Sequence, residues 1–150
     1  PTAIQVDTGM NRQGLTLAEA RTLAPGTGGL AGLDVVLLMS HLGSARDPDD
    51  DRNAAQLARF REARALFPDA RASLAASAGA FLGPDYCYDI VRGGISLYGG
   101  GPEERPDSRL RAVATLAAPI LDIRDLQAGD RVSYGTVFTA GRPMRVAWAR

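Results

Sequence analysis

Apolar positions in this chain fall into short runs of two periods, and the alternation between them predicts the architecture. Residues 3–6 read as a short strand, and 33–39, L-D-V-V-L-L-M, are apolar apart from Asp34, the pattern of a strand buried on both faces. Residues 70–77 predict a third strand, and 88–92 and 95–98 two more around an Arg-Gly-Gly turn. Between the strands the period lengthens. Thr16 and Glu19 form a capping box that opens the helix L-A-E-A-R-T-L-A. From Asn53, Leu57, Phe60, Ala63 and Phe67 recur at near-helical spacing, so an amphipathic helix runs up to Pro68. A glycine-rich turn occupies 25–32, and a further short helix follows Gly83 and Pro84. Strand, helix, strand, helix, strand, short helix, strand is the order of an α/β fold with parallel strands and crossover helices, either doubly wound or closed into a barrel.

Past Gly100 the pattern changes. Residues 101–109 are a Gly, Pro and charge-rich linker, and from Leu110 β-type runs are separated by turn signals such as Ala128-Gly129-Asp130 with no helical spacing between them. The expected organisation is an α/β part at 1–100, a linker at 101–109 and the start of a mostly β domain at 110–150. The chain opens on Pro1 without a methionine and stops inside the strand-like run V-A-W-A-R, which predicts a fragment of a longer protein.

Composition narrows the function classes. Hydrophobic residues make up 45% and charged residues 23%, a globular mix, and 17 basic residues balance 17 acidic ones without forming a stripe. A nucleic-acid or anionic-membrane surface is therefore not expected, and small-molecule or protein partners are. No apolar run approaches the ~20 residues of a membrane span and the N-terminus lacks a signal-peptide layout. Cys87 is the single cysteine, so no internal disulfide framework exists and a cytoplasmic setting is the default. Every basic residue other than His41 is arginine; the chain has no lysine.

Chemistry-bearing side chains cluster where predicted strands end. Arg12 follows the first strand, His41 the second, Ser77 the third and Arg92 the fourth. In a barrel, the carboxyl ends of the strands carry the active site, commonly with a phosphate site at the last two. The stretch Y-D-I-V-R-G-G-I-S-L-Y-G-G from Tyr88 fits such a phosphate cradle, because Gly93 and Gly94 bring bare N–H donors close to an anion and Arg92 adds a fixed cation. Ser77 suits the same position.

These motifs together carry a family resemblance. V-D-T-G-M-N-R from Val6 to Arg12, M-S-H from Met39, the N-A-A-Q-L helix from Asn53, A-S-A around Ser77, the Tyr88–Gly99 stretch and V-S-Y-G from Val132 closely resemble, in order and spacing, bacterial alanine racemase of fold-type III. The resemblance spans nearly the whole chain. It implies a pyridoxal-phosphate enzyme, an isomerase acting on L- and D-alanine for peptidoglycan, whose (β/α)8 TIM barrel is followed by a C-terminal β domain and whose active site is completed in a homodimer. This chain would cover the second half of the barrel and the opening of the β domain. By resemblance, Arg92 faces the pyridine nitrogen of the cofactor, where a cation opposes ring protonation and restrains side reactions. His41 hydrogen-bonds Arg92 and fixes it, Ser77 with the N–H groups of Gly94 and Ile95 holds the phosphate, and Arg12 binds the substrate carboxylate. Asp7 and Met10 shape the loop that carries Arg12, and Tyr134, in the V-S-Y-G motif, either packs a turn or faces an active-site entrance.

Departures from the family pattern lie at Gln5, where many members carry a carbamylated lysine that orients the arginine, and at Ala76 and Gly93, which loosen the cradle. Gln5's amide or a bound anion is then expected to orient Arg12. Racemisation requires a base on each face of a planar carbanion. The resemblance places both, a Schiff-base lysine and a tyrosine of the partner's β domain, outside these residues, so the fragment alone is expected to be inactive. Three related readings use the same residues differently: a broader-specificity amino-acid racemase, a decarboxylase of the same barrel class, and a non-catalytic pyridoxal-phosphate protein. The β-rich text after Leu110 speaks against the last, and Arg92 against the decarboxylase, which places a carboxylate at the pyridine nitrogen.

Overall fold

The computed structural model describes residues 1–26, 29–102 and 107–150. Part of the glycine-rich turn (27 and 28) and of the expected linker (103–106) lies outside the described residues. The chain divides into two compact units, Pro1–Ala114 and Thr115–Arg150. No helix among the described residues is long and apolar enough to cross a membrane.

The first unit is built on strands β1 (Thr2–Gln5), β2 (Val35–Met39) and β3 (Arg71–Ser73), all parallel and in that spatial order. Helix α1 (Leu17–Leu23) connects β1 to β2, and α2 (Arg52–Leu66) connects β2 to β3. The capping box at Thr16 is complete: its hydroxyl accepts from Glu19 N–H at 3.2 Å and the Glu19 carboxylate accepts from Thr16 N–H at 2.8 Å. Register places Ile4, Leu38 and Ala72 side by side across the sheet, all buried, while the alternate row Ala3, Leu37 and Arg71 is partly or fully exposed. A strand's side chains alternate between faces, so one face of this sheet is the core and the other is open. The expectation that residues 33–39 are buried on both faces is therefore corrected: Leu33 is 53% exposed and Val36 42%.

Helix α2 supplies the other half of the core. Leu57, Phe60, Ala63 and Phe67 are buried against Ile4, Val6, Leu38 and Ala72. Phe60 has no exposed surface and meets Tyr88 edge to face with ring centroids 5.0 Å apart. Burying such a ring stabilises the fold by about 2–3 kcal/mol.

Two predicted strands take other forms. Residues 88–92 are not a strand; a single parallel bridge joins Arg92 to Ala76. The chain there is hooked over the end of β3, with Tyr88 at φ 48°, the N–H groups of Asp89 and Ile90 both donating to Ala72 O, and the Asp89 carboxylate accepting from Ala72 N–H at 2.7 Å. Residues 95–98 form a 3-10 turn, Ile95–Tyr98, closed by Leu97 N–H to Gly94 O at 2.9 Å and Gly99 N–H to Ser96 O at 3.1 Å. Gly99 stands at φ 92°, where an added Cβ would come within 2.6 Å of Ala112 and Arg111 backbone atoms. A glycine on each side lets the chain coil tightly instead of extending. The third strand ends at Ser73, and after it the chain turns into a 3-10 segment, Ala78–Phe81, before the short helix α3 (Pro84–Cys87).

The second unit contains only β pairing and one 3-10 turn. Strand β4 (Ile120–Leu126) pairs antiparallel with β7 (Met144–Ala149), and β5 (Arg131–Val132) with β6 (Phe138–Thr139). The Ala128-Gly129-Asp130 signal is a turn, with Gly129 at φ 94° and its N–H donating to Ala140 O at 2.7 Å. Side chains of this unit are mostly exposed, Ala140 being an exception at 1%.

Candidate functional site

Parallel strands end at one edge, so the loops after β1, β2 and β3 converge with the Arg92 turn. Arg92 is the best-held side chain there. Its Nη1 donates to Ser73 O at 3.0 Å and Ser73 Oγ at 2.7 Å; its Nη2 donates to Ser40 O at 2.6 Å and Leu74 O at 3.4 Å, and lies 3.3 Å from His41 Nδ1. An arginine can only donate, so His41 Nδ1 accepts and the imidazole is neutral with its proton on Nε2. Burial lowers the His41 pKa from its ordinary 6.5, and the nearby Arg92 and Arg12 cations lower it further. Burial likewise lowers the Arg92 pKa. All of Arg92's partners are uncharged, so its positive charge is left uncompensated, and its Nε–H has no partner among the described residues.

A cavity of about 530 Å³ adjoins it, lined by Met10, His41, Ser77, Arg92, Gly94 and Ile95 among others. That volume lies within the range of small-ligand sites, about 300–1,000 Å³. At its wall the buried Ser77 Oγ accepts from Gly94 N–H at 2.8 Å and Ser96 N–H at 3.3 Å. The Ile95 N–H between them has no hydrogen-bond partner among the described residues. Sequence reasoning named Gly94 and Ile95 as the backbone donors and left out Ser96. A Cβ at Gly93 would meet the Leu97 side chain at 3.5 Å, ordinary contact, so the position does not itself demand glycine.

Arg12 is held differently. The Asp7 carboxylate gathers the loop by accepting from the N–H groups of Gly9 at 2.8 Å, Asn11 at 3.1 Å and Arg12 at 3.0 Å. Burial by itself would raise the Asp7 carboxyl, but these N–H groups and that of Met10 together hold it below the ordinary carboxylate value. The loop backbone is thus fixed while the Arg12 side chain is exposed, with no partner among the described residues. Gln5 does not orient it: the Gln5 amide donates instead to Gln13 O at 3.2 Å. The expectation that Tyr134 packs a turn is corrected: in the second unit its side chain is 95% exposed.

Four polar residues of the site had no role assigned from the sequence: Thr8, Ser40 and Gln56, which lie inside quoted motifs, and Ser73, which lies outside them, each at most 1% exposed. Thr8 and Ser40 share a hydrogen bond of 2.8 Å, and Ser73 Oγ donates to Ile90 O at 2.7 Å while receiving Arg92. The available signal was the position of Asn53 and Gln56 on the same helical face as Leu57 and Phe60, where a polar residue must have an internal partner.

The family model for the alanine racemase N-terminal domain matches residues 1–102. Among curated relatives, the biosynthetic alanine racemase of Agrobacterium fabrum is 46% identical over 149 residues, covering 99% of this chain and 38% of that protein. The alanine racemase of Acidiphilium cryptum is 44% identical over 147 residues, covering 98% and 41%. Among solved structures, alanine racemase from Bartonella henselae with covalently bound pyridoxal phosphate superposes with a TM-score of 0.71 at 36% identity, covering 97% of this chain and 40% of that one. The biosynthetic alanine racemase of Pseudomonas aeruginosa gives 0.70 at 28% identity, covering 97% and 41%. The chain spans about two fifths of the length of the relatives it matches.

Proposed function

This chain belongs to the alanine racemase family, and we propose that it is the second half of the barrel and the opening of the β domain of a pyridoxal-phosphate enzyme that interconverts L- and D-alanine. In this reading residues 1–100 form the barrel part, 101–109 the linker and 110–150 the start of the β domain, and the intact protein works as a cytoplasmic homodimer supplying D-alanine for peptidoglycan. The parallel sheet, the end of the family match at 102 and the all-β pairing after Thr115 support it. One observation carries the site: a half-buried arginine held entirely by neutral acceptors, with its Nε–H unpaired, lining the same cavity as Ser77 and the Gly94 turn.

Pyridoxal phosphate fits these residues. When bound, it supplies the electron sink that makes the α-proton of an amino acid removable. The Ser77 hydroxyl and the unpaired Ile95 N–H would hold its phosphate, with the Gly94 N–H, now on Ser77 Oγ, turning to join them, as backbone nests hold anions. Arg92 would donate to the pyridine nitrogen through Nε, and its positive charge, which its neutral partners do not compensate, keeps a proton off that nitrogen. Neutral His41 accepts from Arg92 and so keeps the guanidinium in one orientation without adding a second charge. Arg12, free to move on a fixed loop, would take the substrate carboxylate as a paired donor.

These residues bind and orient; they do not supply the two bases. With no lysine in the sequence, the 150 residues alone are expected neither to hold the cofactor covalently nor to racemise alanine. The test is to express the full-length protein with pyridoxal phosphate and follow loss of optical activity from L-alanine and from D-alanine. Racemisation in both directions supports the reading. A cofactor-loaded protein inert towards alanine but active on longer amino acids would move it to the broader-specificity racemase, and one inert towards every amino acid would overturn it.

A further inference from the structure

Helix α2 carries a polar residue on its apolar face whose partners all belong to other elements. Gln56 is 1% exposed. Its Nε2 donates to His41 O at 3.0 Å and to Thr8 Oγ1 at 3.2 Å, and its Oε1 accepts from Gly43 N–H at 2.7 Å. The backbone partners fix the amide's orientation, because the His41 carbonyl can only accept and the Gly43 N–H can only donate. One side chain thus ties the loop after β1, through Thr8, to the loop after β2, through His41 and Gly43.

The loop after β2, together with the end of β3, holds Arg92. The Thr8 hydroxyl that receives Gln56 shares its 2.8 Å hydrogen bond with Ser40, and the Ser40 carbonyl accepts the shortest of the Arg92 bonds, 2.6 Å. His41, whose carbonyl receives Gln56, presents its ring nitrogen to the same Arg92 Nη2. No side chain other than an amide meets these demands at once. A carboxylate cannot donate to the His41 carbonyl, and a methionine of similar volume leaves the His41 carbonyl and the Gly43 N–H unpaired and takes one of two partners from Thr8.

We propose that Gln56 is a positioning residue for the cofactor: it fixes the Ser40-His41 segment and thereby the guanidinium of Arg92 against the pyridine ring. This rests on the racemase reading, since it assigns Gln56 a role through Arg92's contact with pyridoxal phosphate. Gln56 touches neither cofactor nor substrate positions itself. Its effect passes through backbone carbonyls, which move only when the loops move.

The experiment uses the full-length protein stripped of cofactor and titrated with pyridoxal phosphate, comparing wild type, Gln56→Glu, Gln56→Met, Thr8→Val, Arg92→Lys and Arg92→Lys with Gln56→Met. Cofactor affinity is expected to fall about tenfold in the two Gln56 variants and about threefold in Thr8→Val, the scale of lost outer partners of a bound group. The absorption maximum of bound cofactor shifts with it, because the charge beside the ring has moved. Adding Gln56→Met to Arg92→Lys should cost no further affinity, since both act through one contact. Folded Gln56 variants whose affinity and absorption maximum match wild type would overturn the proposal, as would full additivity with Arg92→Lys. Should the Gln56 variants fail to fold, Thr8→Val decides by the same two readouts. If wild-type protein binds no pyridoxal phosphate at all, the racemase reading falls and this inference with it.

Discussion

Two arginines at one sheet edge are held in opposite ways. Arg92 is half-buried and donates to four oxygens and a ring nitrogen, from Ser73, Ser40, Leu74 and His41, on segments that the sheet and α2 fix from behind. Arg12 has its backbone fixed by Asp7 while its side chain stands in solvent. The difference suits the two roles proposed for them. A cation that must sit at one atom of a resident cofactor is best preorganised, whereas one that must take up and release a substrate carboxylate at every turnover keeps its freedom until the carboxylate arrives.

The sharpest way to break this comparison is to delete each arginine. Arg92→Ala leaves the Ser73 hydroxyl and the Ser40 and Leu74 carbonyls without this donor, while the Ser73 carbonyl keeps Ser40 N–H, so the protein should lose about 2–3 kcal/mol of stability along with cofactor affinity, read by denaturant titration and by cofactor binding. Arg12→Ala removes no internal bond, and its stability should stay within about 0.5 kcal/mol of wild type while kcat/KM for alanine falls by at least about tenfold. Equal stability losses would erase the distinction.

Asp7 gives an intermediate effect. Asp7→Asn keeps the size but loses the charge that gathers three N–H groups, so it should cost about 1 kcal/mol and raise KM with little change in cofactor affinity. The smallest effect is the pH dependence of the Arg92 clamp. His41 has its pKa lowered in the folded protein, so the unfolded chain binds more protons at acid pH and stability rises with pH. The contribution is complete above the ordinary value of 6.5 and is lost as pH falls through the folded value. His41→Asn, which still accepts from Arg92, should flatten that slope between neutral and mildly acid pH in denaturation curves.

What could be read from the sequence follows the same division. Local signals were legible: the Thr16 and Glu19 capping box, the Leu57 to Phe67 spacing and the Gly129 turn each state their structure within a few residues. Residues 95–98 misled because alternation of apolar residues predicts a strand only where a partner strand exists; here Ile95, Leu97 and Tyr98 are exposed at 63–67% on a 3-10 turn between glycines. Residues 88–92 misled because the Asp89 carboxylate caps β3 in place of a strand, an interaction across 17 residues that no local pattern encodes. Ser73 was silent for the same reason, and so were the roles of Gln56, Thr8 and Ser40, although their motifs were legible. A buried polar side chain is defined by its partners, and those partners are distant in sequence.

On the proposed reading, Arg92 keeps the pyridine nitrogen of bound pyridoxal phosphate unprotonated. This is tested most directly by reconstituting the full-length protein with ring-¹⁵N pyridoxal phosphate and recording the nitrogen chemical shift near neutral pH. A shift characteristic of an unprotonated, hydrogen-bonded pyridine is predicted, and its change towards the protonated value in Arg92→Glu would complete the case. A protonated nitrogen in the wild-type protein would contradict the account.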